Sequence, residues 1–254
     1  MVVQKAAMTI DEVLERLDGI IAASLKDNDH LGFFAYIYRR TTYEIKKAIL
    51  ANKFEDNPRM EKFDVLFANK YLEVFDDFRA GRQVCRSWTV SFRAKKERMT
   101  ILQHIILGMN AHINYDLGVA ADEFIEEGVI DGFQNDFMMV NQVLAGLLDE
   151  MQVKVGRVSK LMFLIDWLGG RKDEVILNFS MEKARQQAWD LATRLKGLTG
   201  DEKETKKAEA DRFTANLGEI VKRPPGKILR YVVKLVSLFE IKDIKKVVKK
   251  LEQD

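Results

Sequence analysis

The stretch between Thr100 and Glu127 constrains the fold most, because its apolar residues lie on almost every side of a helical wheel. A helix of this kind is stable only where other elements cover it on all sides. Gly128 follows it, and glycine commonly ends a helix. The sequence therefore predicts a buried central helix, and the remainder of the chain has to supply the helices that surround it.

Apolar residues recur at helical spacing along most of the remaining chain. Thr9 and Glu12 have the spacing of a capping box and mark the start of the first helix. Further helices are predicted at about residues 30–51, 58–80, 135–152, 157–168, 181–195 and 208–220, with two more after the break at Pro224-Pro225-Gly226. Residues 200–207 are highly charged and predict a mobile connection. The alternation of strands and helices that a doubly wound sheet requires is missing. We therefore predict an all-α fold, a single multi-helix bundle of about nine to eleven helices around a buried central helix.

Charge divides the chain into two predicted units, a helical bundle at residues 1–220 and a basic amphipathic C-terminal appendage at residues 221–254. From Val221 onwards ten lysines and arginines face four acidic residues, so this end carries +6 and the bundle −4 of the overall +2. The bundle has no basic field for nucleic acid, so we expect no nucleic-acid partner. The appendage either binds a membrane surface or a protein partner, or packs its apolar side on the bundle. We favour packing.

The single cysteine, Cys85, excludes an internal disulfide and a cluster of thiolate ligands. Arg82 and Arg86 could lower the pKa of its thiol, but an inert thiol is the simpler interpretation. The N-terminal residues lack the features of a secretory signal, and no 18-residue apolar run occurs. We expect a cytoplasmic protein.

Polar residues inside the central helix are the strongest indication of a functional site. His104, Gly108, His112 and Asp116 follow one another at intervals of four residues, so they form one stripe that faces the interior. His112 and Asp116 can act as an oriented acid/base pair, can hold a divalent metal ion, or can form a satisfied network in the core. Gly108 leaves a space in which a ligand could lie.

A metal centre would need at least three protein ligands. His104 is about 12 Å from His112 along the helix axis, too far to share one ion. His30, Asp64 and Asp136 could complete the set only if the fold brings them close.

Two other polar pairs have both a functional and a structural interpretation. Asn110 and Asn114 lie on another side of the same helix, where they either line a site or bond to backbone groups of neighbouring helices. Arg185 and Trp189 are one turn apart, so the arginine either stacks on the indole or bonds to an acid of the central site.

Residues 108–117 contain the core G-M-N-A-H-I-N-x-D-L, and three other segments accompany it, at residues 63–71, 136–141 and 184–189. On these residues the chain resembles an uncharacterised bacterial family of helical proteins, a domain of unknown function. The resemblance implies one set of polar residues on separate helices: Asp64, Asn69, Asn110, His112, Asn114, Asp116, Asp136, Asn141 and Arg185. If these residues converge, the bundle contains a polar chamber for a small molecule or a metal ion. If they do not, they cap helix ends and hold neighbouring helices together.

Two functions remain open. In the first, the chain is an enzyme in which His112 and Asp116 act on a small substrate as a metal-assisted or an acid/base pair, with the other seven polar residues binding the ligand. In the second, it is a non-catalytic binding or scaffold protein whose polar residues brace the helices. Phosphate-loop, dinucleotide-binding, nucleophile-elbow and zinc-protease motifs are absent from the sequence.

Overall fold

The computed structural model describes residues 5–126, 133–159, 181–241 and 243–252. These residues form eleven α-helices: α1 (Ile10–Asp27), α2 (Leu31–Leu50), α3 (Asn57–Arg79), α4 (Arg86–Arg93), α5 (Ile101–Ala111), α6 (Leu117–Glu126), α7 (Phe133–Val158), α8 (Met181–Leu195), α9 (Gly200–Lys222), α10 (Lys227–Phe239) and α11 (Ile244–Glu252). A short 3-10 helix (Ala94–Lys96) follows α4, and a π-helical turn (His112–Asp116) joins α5 to α6. Within the described ranges there is no strand, so the all-α prediction is confirmed.

The central helix of the prediction is α5, the π turn and α6 taken together. Helices α2, α4 and α9 pack on α5, and α3 and α8 pack on α6. Buried side chains are found on every side of this central helix, including Ile101, Leu107 and Leu117. The bundle is therefore arranged around the stretch that the sequence singled out.

Local chemistry explains both ends of α1 and the start of α3. The Thr9 side chain accepts a hydrogen bond from the Glu12 amide at 3.2 Å and caps α1. Asn28 ends α1 in the left-handed conformation, with a φ of 51°. Asp56 caps α3 by accepting from the Arg59 amide at 2.9 Å.

The prediction of a mobile connection at residues 200–207 is wrong, because these residues form the first two turns of α9. The charged sequence conceals a buried contact in which the Lys203 ammonium lies 2.9 Å from Asp122, a fully buried carboxylate of α6. The predicted boundary between helices at residues 152 and 157 is also wrong, because α7 continues to Val158. The rest of the helix predicted to end at residue 168 lies outside the described residues, as does Gly128.

The C-terminal appendage packs on the bundle through its last helix. Ile244, Val247, Val248 and Leu251 of α11 are buried, and α11 contacts α7, α2 and α1. Glu240, between α10 and α11, accepts a buried hydrogen bond at 2.8 Å from the Ile101 amide, which has no partner within the first turn of the central helix. None of the described helices has the length and apolar character that a membrane crossing requires.

Candidate functional site

His112 and Asp116 are buried and adjacent, as predicted from their spacing. His112 Nδ1 lies 3.0 Å from Asp116 Oδ2, and the same oxygen accepts a hydrogen bond from the Trp88 indole N–H at 2.8 Å. Trp88 is a residue of α4, so this network ties α4 to the central helix. The site-forming role of Trp88 was not predicted from the sequence, although a tryptophan with a buried N–H needs an acceptor.

The network lies in a π-helical turn rather than in a regular α-helix. The Leu117 amide donates to the His112 carbonyl five residues earlier, so one extra residue enters this turn. Single π turns occur often at functional sites. The turn also keeps His112 and Asp116 in the interior while leaving Asn114 and Tyr115 only half-buried.

Aromatic rings enclose the imidazole of His112. Phe67 stacks on it with 3.9 Å between ring centroids, and Tyr38 meets it edge-on at 4.5 Å. Phe34, Tyr71 and Trp88 complete the enclosure at 5.8–6.1 Å. The side chain of His112 has no exposed surface, and Nε2 has no hydrogen-bond partner among the described residues.

Burial is the main influence on the pKa values of His112 and Asp116. It lowers the pKa of His112, and the neighbouring Asp116 carboxylate opposes that shift only in part, so the imidazole is neutral at neutral pH. Burial also raises the pKa of Asp116, against the hydrogen bonds from His112 and Trp88 that favour its ionised form. A neutral imidazole whose Nδ1–H donates to Asp116 leaves Nε2 as a hydrogen-bond acceptor.

The space beside Gly108 is filled, which corrects the expectation that a ligand could lie there. A Cβ atom at Gly108 would come within 2.3 Å of Cγ of Phe34. The glycine therefore allows α2 to approach the central helix and lets the Phe34 ring pack against its backbone.

A second polar group lies beside this pair and includes Asp64 and Arg185. Burial raises the pKa of Asp64 to about 7, and the positive charge of Arg185 opposes the shift. Burial likewise lowers the pKa of Arg185 to about 9, opposed by Asp64. The two side chains influence each other without an ion pair within 4 Å.

Two hydroxyl groups of α2, those of Tyr38 and Thr42, belong to the same region. Burial and the negative charge of Asp64 raise the pKa of Tyr38, while the nearby Thr42 hydroxyl lowers it. Neither hydroxyl makes a hydrogen bond of acceptable geometry within the described part of the chain. Tyr38 also touches the His112 ring, so it connects the two polar groups. We call Tyr38, Thr42, Asp64, His112 and Arg185 the interior cluster.

Arg185 takes neither of the two arrangements considered from the sequence. Its guanidinium lies over the Phe137 ring, 4.5 Å from the centroid, and donates a hydrogen bond to the Phe137 carbonyl of α7. Trp189 packs on Phe133 and Phe137 instead of on Arg185. Asn141 lies one turn beyond Phe137, and its buried Oδ1 has no partner in the described ranges.

Asn69 and Asp136 lie outside the interior cluster, and each binds backbone groups of another segment of the chain. The amide of Asn69 exchanges two hydrogen bonds of 2.9 Å with the backbone of Ala7 and fixes the N-terminal segment. Asp136 accepts from the Glu55 and Asp56 amides at 2.7 and 3.1 Å and pairs with Arg59 at 2.6 Å. It thus holds the start of α3 on α7.

Asn110 and Asn114 brace the other side of the central helix. Asn110 donates to the Thr214 carbonyl of α9 at 2.9 Å, and Asn114 donates to Asn110 Oδ1 at 3.0 Å. Their structural interpretation accounts for these contacts, although Asn114 Oδ1 is buried without a described partner.

His104, the first residue of the stripe, contacts His30 with 4.6 Å between ring centroids. Burial and the neighbouring His30 lower the pKa of His104 to about 3. Over the described residues, no group of three or more histidine, cysteine, aspartate or glutamate side chains is arranged to hold a metal ion. A metal bound by His112 and Asp116 stays a prediction. Cys85 fits the inert interpretation, since burial raises the pKa of its thiol to about 12.

A sequence profile described as a family of unknown function (DUF5995) matches residues 10–224. The chain belongs to this family. The resemblance to an uncharacterised domain family is therefore confirmed, and the DUF5995 match includes the whole interior cluster. It ends before α10, so the last two helices lie outside it. No curated protein and no solved structure matches the chain significantly.

Proposed function

We propose that the chain binds a small, partly polar molecule at the interior cluster and exchanges protons with it. The observation that carries this proposal is a set of buried polar atoms without described partners, supplied by separate helices. They are the Tyr38 and Thr42 hydroxyls, Asp64 Oδ2, His112 Nε2 and Arg185 Nε. Each buried polar atom left unpaired costs about 1–3 kcal/mol, so a concentration of them calls for an occupant.

The cluster has the chemistry of an acid/base site. A carboxyl group with a pKa of about 7 changes its protonation at neutral pH, and this suits Asp64 to proton transfer. Arg185 supplies a positive charge for an acceptor group of the ligand, and the two hydroxyls can donate or accept. His112 Nε2 offers an acceptor whose direction is fixed by the hydrogen bond of Nδ1 to Asp116.

A non-catalytic role is the second candidate, and the enclosure of His112 favours it. With no exposed surface and five aromatic neighbours, the imidazole can serve to lock α4 and the central helix through Trp88 and Asp116. In that case the interior cluster holds a ligand or ordered water and performs no reaction.

The proposal is tested by identifying what co-purifies with the protein. We expect mass spectrometry of extracts from natively purified wild type to reveal a stoichiometric small molecule. Arg185→Gln should lose it, because the ligand loses its positive partner. The matched control is Arg16→Gln. Arg16 lies on α1, which supplies no residue of the cluster, and it pairs with Asp76 at 2.5 Å. Metal analysis of the same samples tests for a divalent ion.

A second measurement separates a ligand site from a core network. In the empty protein, the double variant Tyr38→Phe with Thr42→Val removes two unpaired hydroxyls and should raise the melting temperature. If the hydroxyls are satisfied as part of a structural network, the same variant should lose about 1 kcal/mol of stability per group. No retained molecule together with that loss would contradict the proposed function.

A further inference from the structure

The outward side of α10 exposes large apolar side chains. Ile228, Tyr231 and Phe239 are 70%, 69% and 69% exposed, and Leu238 is 45% exposed. The inward side of the same helix buries Leu229, Val233 and Val236. Helix α10 is thus apolar on two sides, and packing on the bundle uses only one of them.

The exposed residues form a continuous stripe. Residues 228, 231, 238 and 239 fall within about 100° on a helical wheel, and the half-buried Leu235 lies in the same sector. Scattered apolar residues on a surface need no explanation, but a stripe along one helix marks an interaction surface.

The charges of α10 are all positive. Lys227, Arg230 and Lys234 are its only charged residues, and each is exposed. Exposed lysines also follow on α11, at residues 245, 246 and 249. Residues 1–220, in contrast, carry a net −4, so the net positive charge belongs to the C-terminal appendage that also carries the apolar stripe.

We infer that this surface of α10 docks on an anionic lipid bilayer. A bilayer offers hydrocarbon for Ile228 and Phe239, a polar boundary for Tyr231 and negative headgroups for the lysines. A second copy of the chain fits less well, because pairing α10 with itself would bring two sets of three positive charges together. The negative bundle is repelled by the same headgroups, which orients the molecule with α10 towards the membrane.

Binding should be reversible and sensitive to salt. Each lysine or arginine near an anionic surface contributes about 1 kcal/mol, and this contribution weakens as ions screen it. Neutral lipid offers no electrostatic attraction to these charges, so we expect weaker binding to it.

The test is co-sedimentation of the full chain with vesicles of phosphatidylcholine alone and of phosphatidylcholine with phosphatidylglycerol. We expect binding to the anionic vesicles that is reduced at least about 10-fold in 0.5 M salt. Ile228→Ser with Phe239→Ser should reduce it about 10-fold or more, and so should Lys227→Gln with Arg230→Gln and Lys234→Gln. The control, Leu50→Ser with Phe213→Ser, alters exposed apolar residues on other helices and should bind like wild type.

All these substitutions are at exposed positions, so melting temperatures near that of wild type are expected and verify the fold. Absence of wild-type binding to anionic vesicles would overturn the inference. An equal reduction in vesicle binding by Leu50→Ser with Phe213→Ser would also overturn it. A concentration-dependent dimer seen by light scattering, abolished by Ile228→Ser with Phe239→Ser, would assign the surface to a second copy and reject the bilayer.

Discussion

At the scale of single residues, Asp116 is the acceptor on which the central network depends. One of its oxygens accepts from Trp88 and lies 3.0 Å from His112. Asp116→Ala leaves two buried donors unpaired, so we expect a loss of about 2–5 kcal/mol in the free energy of unfolding measured with urea. We also expect loss of any small molecule retained at the interior cluster.

Asp211 provides the matched control for that variant. It is also buried and accepts two hydrogen bonds, from the Arg86 and Ser87 amides at 2.8 Å each, where it caps α4. Asp211→Ala should cost about 1–2 kcal/mol, as the loss of a helix cap does, while the retained molecule stays bound. An Asp116→Ala protein as stable as wild type would show that the network contributes nothing to folding.

Asp64 predicts a particular dependence of stability on pH. Its pKa is about 7 in the folded protein and near its ordinary value, about 4, in the unfolded chain. Between these values the folded state binds more protons, so stability contributed by Asp64 is present below pH 4 and lost as the pH rises to 7. Relative to Asp64→Asn, wild type should therefore lose stability between pH 4.5 and 7.5. Parallel curves of unfolding free energy against pH for the two proteins would contradict this assignment.

The residues of the site were only partly predictable. The interval of four between His112 and Asp116 was sufficient to predict their contact, because it is a local property of one helix. The partners Trp88, Tyr38 and Thr42 belong to other helices, and no spacing within the sequence relates them to His112. Asp136 and Asn69 were predicted as ligand-binding residues, but a polar residue that clamps a backbone segment has the same sequence signature as one that binds a ligand.

At the scale of elements, the approach of α2 to the central helix depends on Gly108. A methyl group there would meet the Phe34 ring at 2.3 Å, so Gly108→Ala should force α2 away and destabilise the protein by about 1–3 kcal/mol. Gly19→Ala is the control, since nothing lies within 4 Å of a Cβ at that position of α1. It should stabilise the protein by about 0.5–1 kcal/mol, the difference in helix propensity. Equal melting temperatures for the two variants would show that Phe34 moves aside freely.

Most helix positions could be predicted from apolar periodicity and capping residues. The π turn of the central helix and the first turns of α9 could not. The π turn at His112–Asp116 differs from an α-helix by one residue, too little to change the apolar pattern around it. The first turns of α9 were mistaken for a connection because their charge suggested exposure. Lys203 could not be recognised as a buried residue without its partner Asp122, some eighty positions earlier in the chain.

At the scale of the whole molecule, the two helices of the C-terminal appendage have different roles. Helix α11 buries its apolar face on the bundle, and Glu240 satisfies the first amide of the central helix. Asn28 Oδ1 in turn accepts from the Ile244 amide at 3.0 Å. Packing, which the sequence favoured, therefore describes α11, while the outward side of α10 remains available for a partner.

Ending the chain after Arg223 separates these roles. The shortened protein exposes the surfaces of α7 and α2 that α11 covers and leaves the Ile101 amide without its acceptor. Because each buried aliphatic side chain of α11 contributes about 1.5–3 kcal/mol, we expect a melting temperature lower by at least about 10 °C in differential scanning calorimetry. Val247→Ala with Leu251→Ala should lower it too while leaving vesicle binding intact, whereas Ile228→Ser with Phe239→Ser should do the reverse. A shortened protein that melts like wild type and loses only its affinity for anionic vesicles would mean that α11 does not stabilise the bundle.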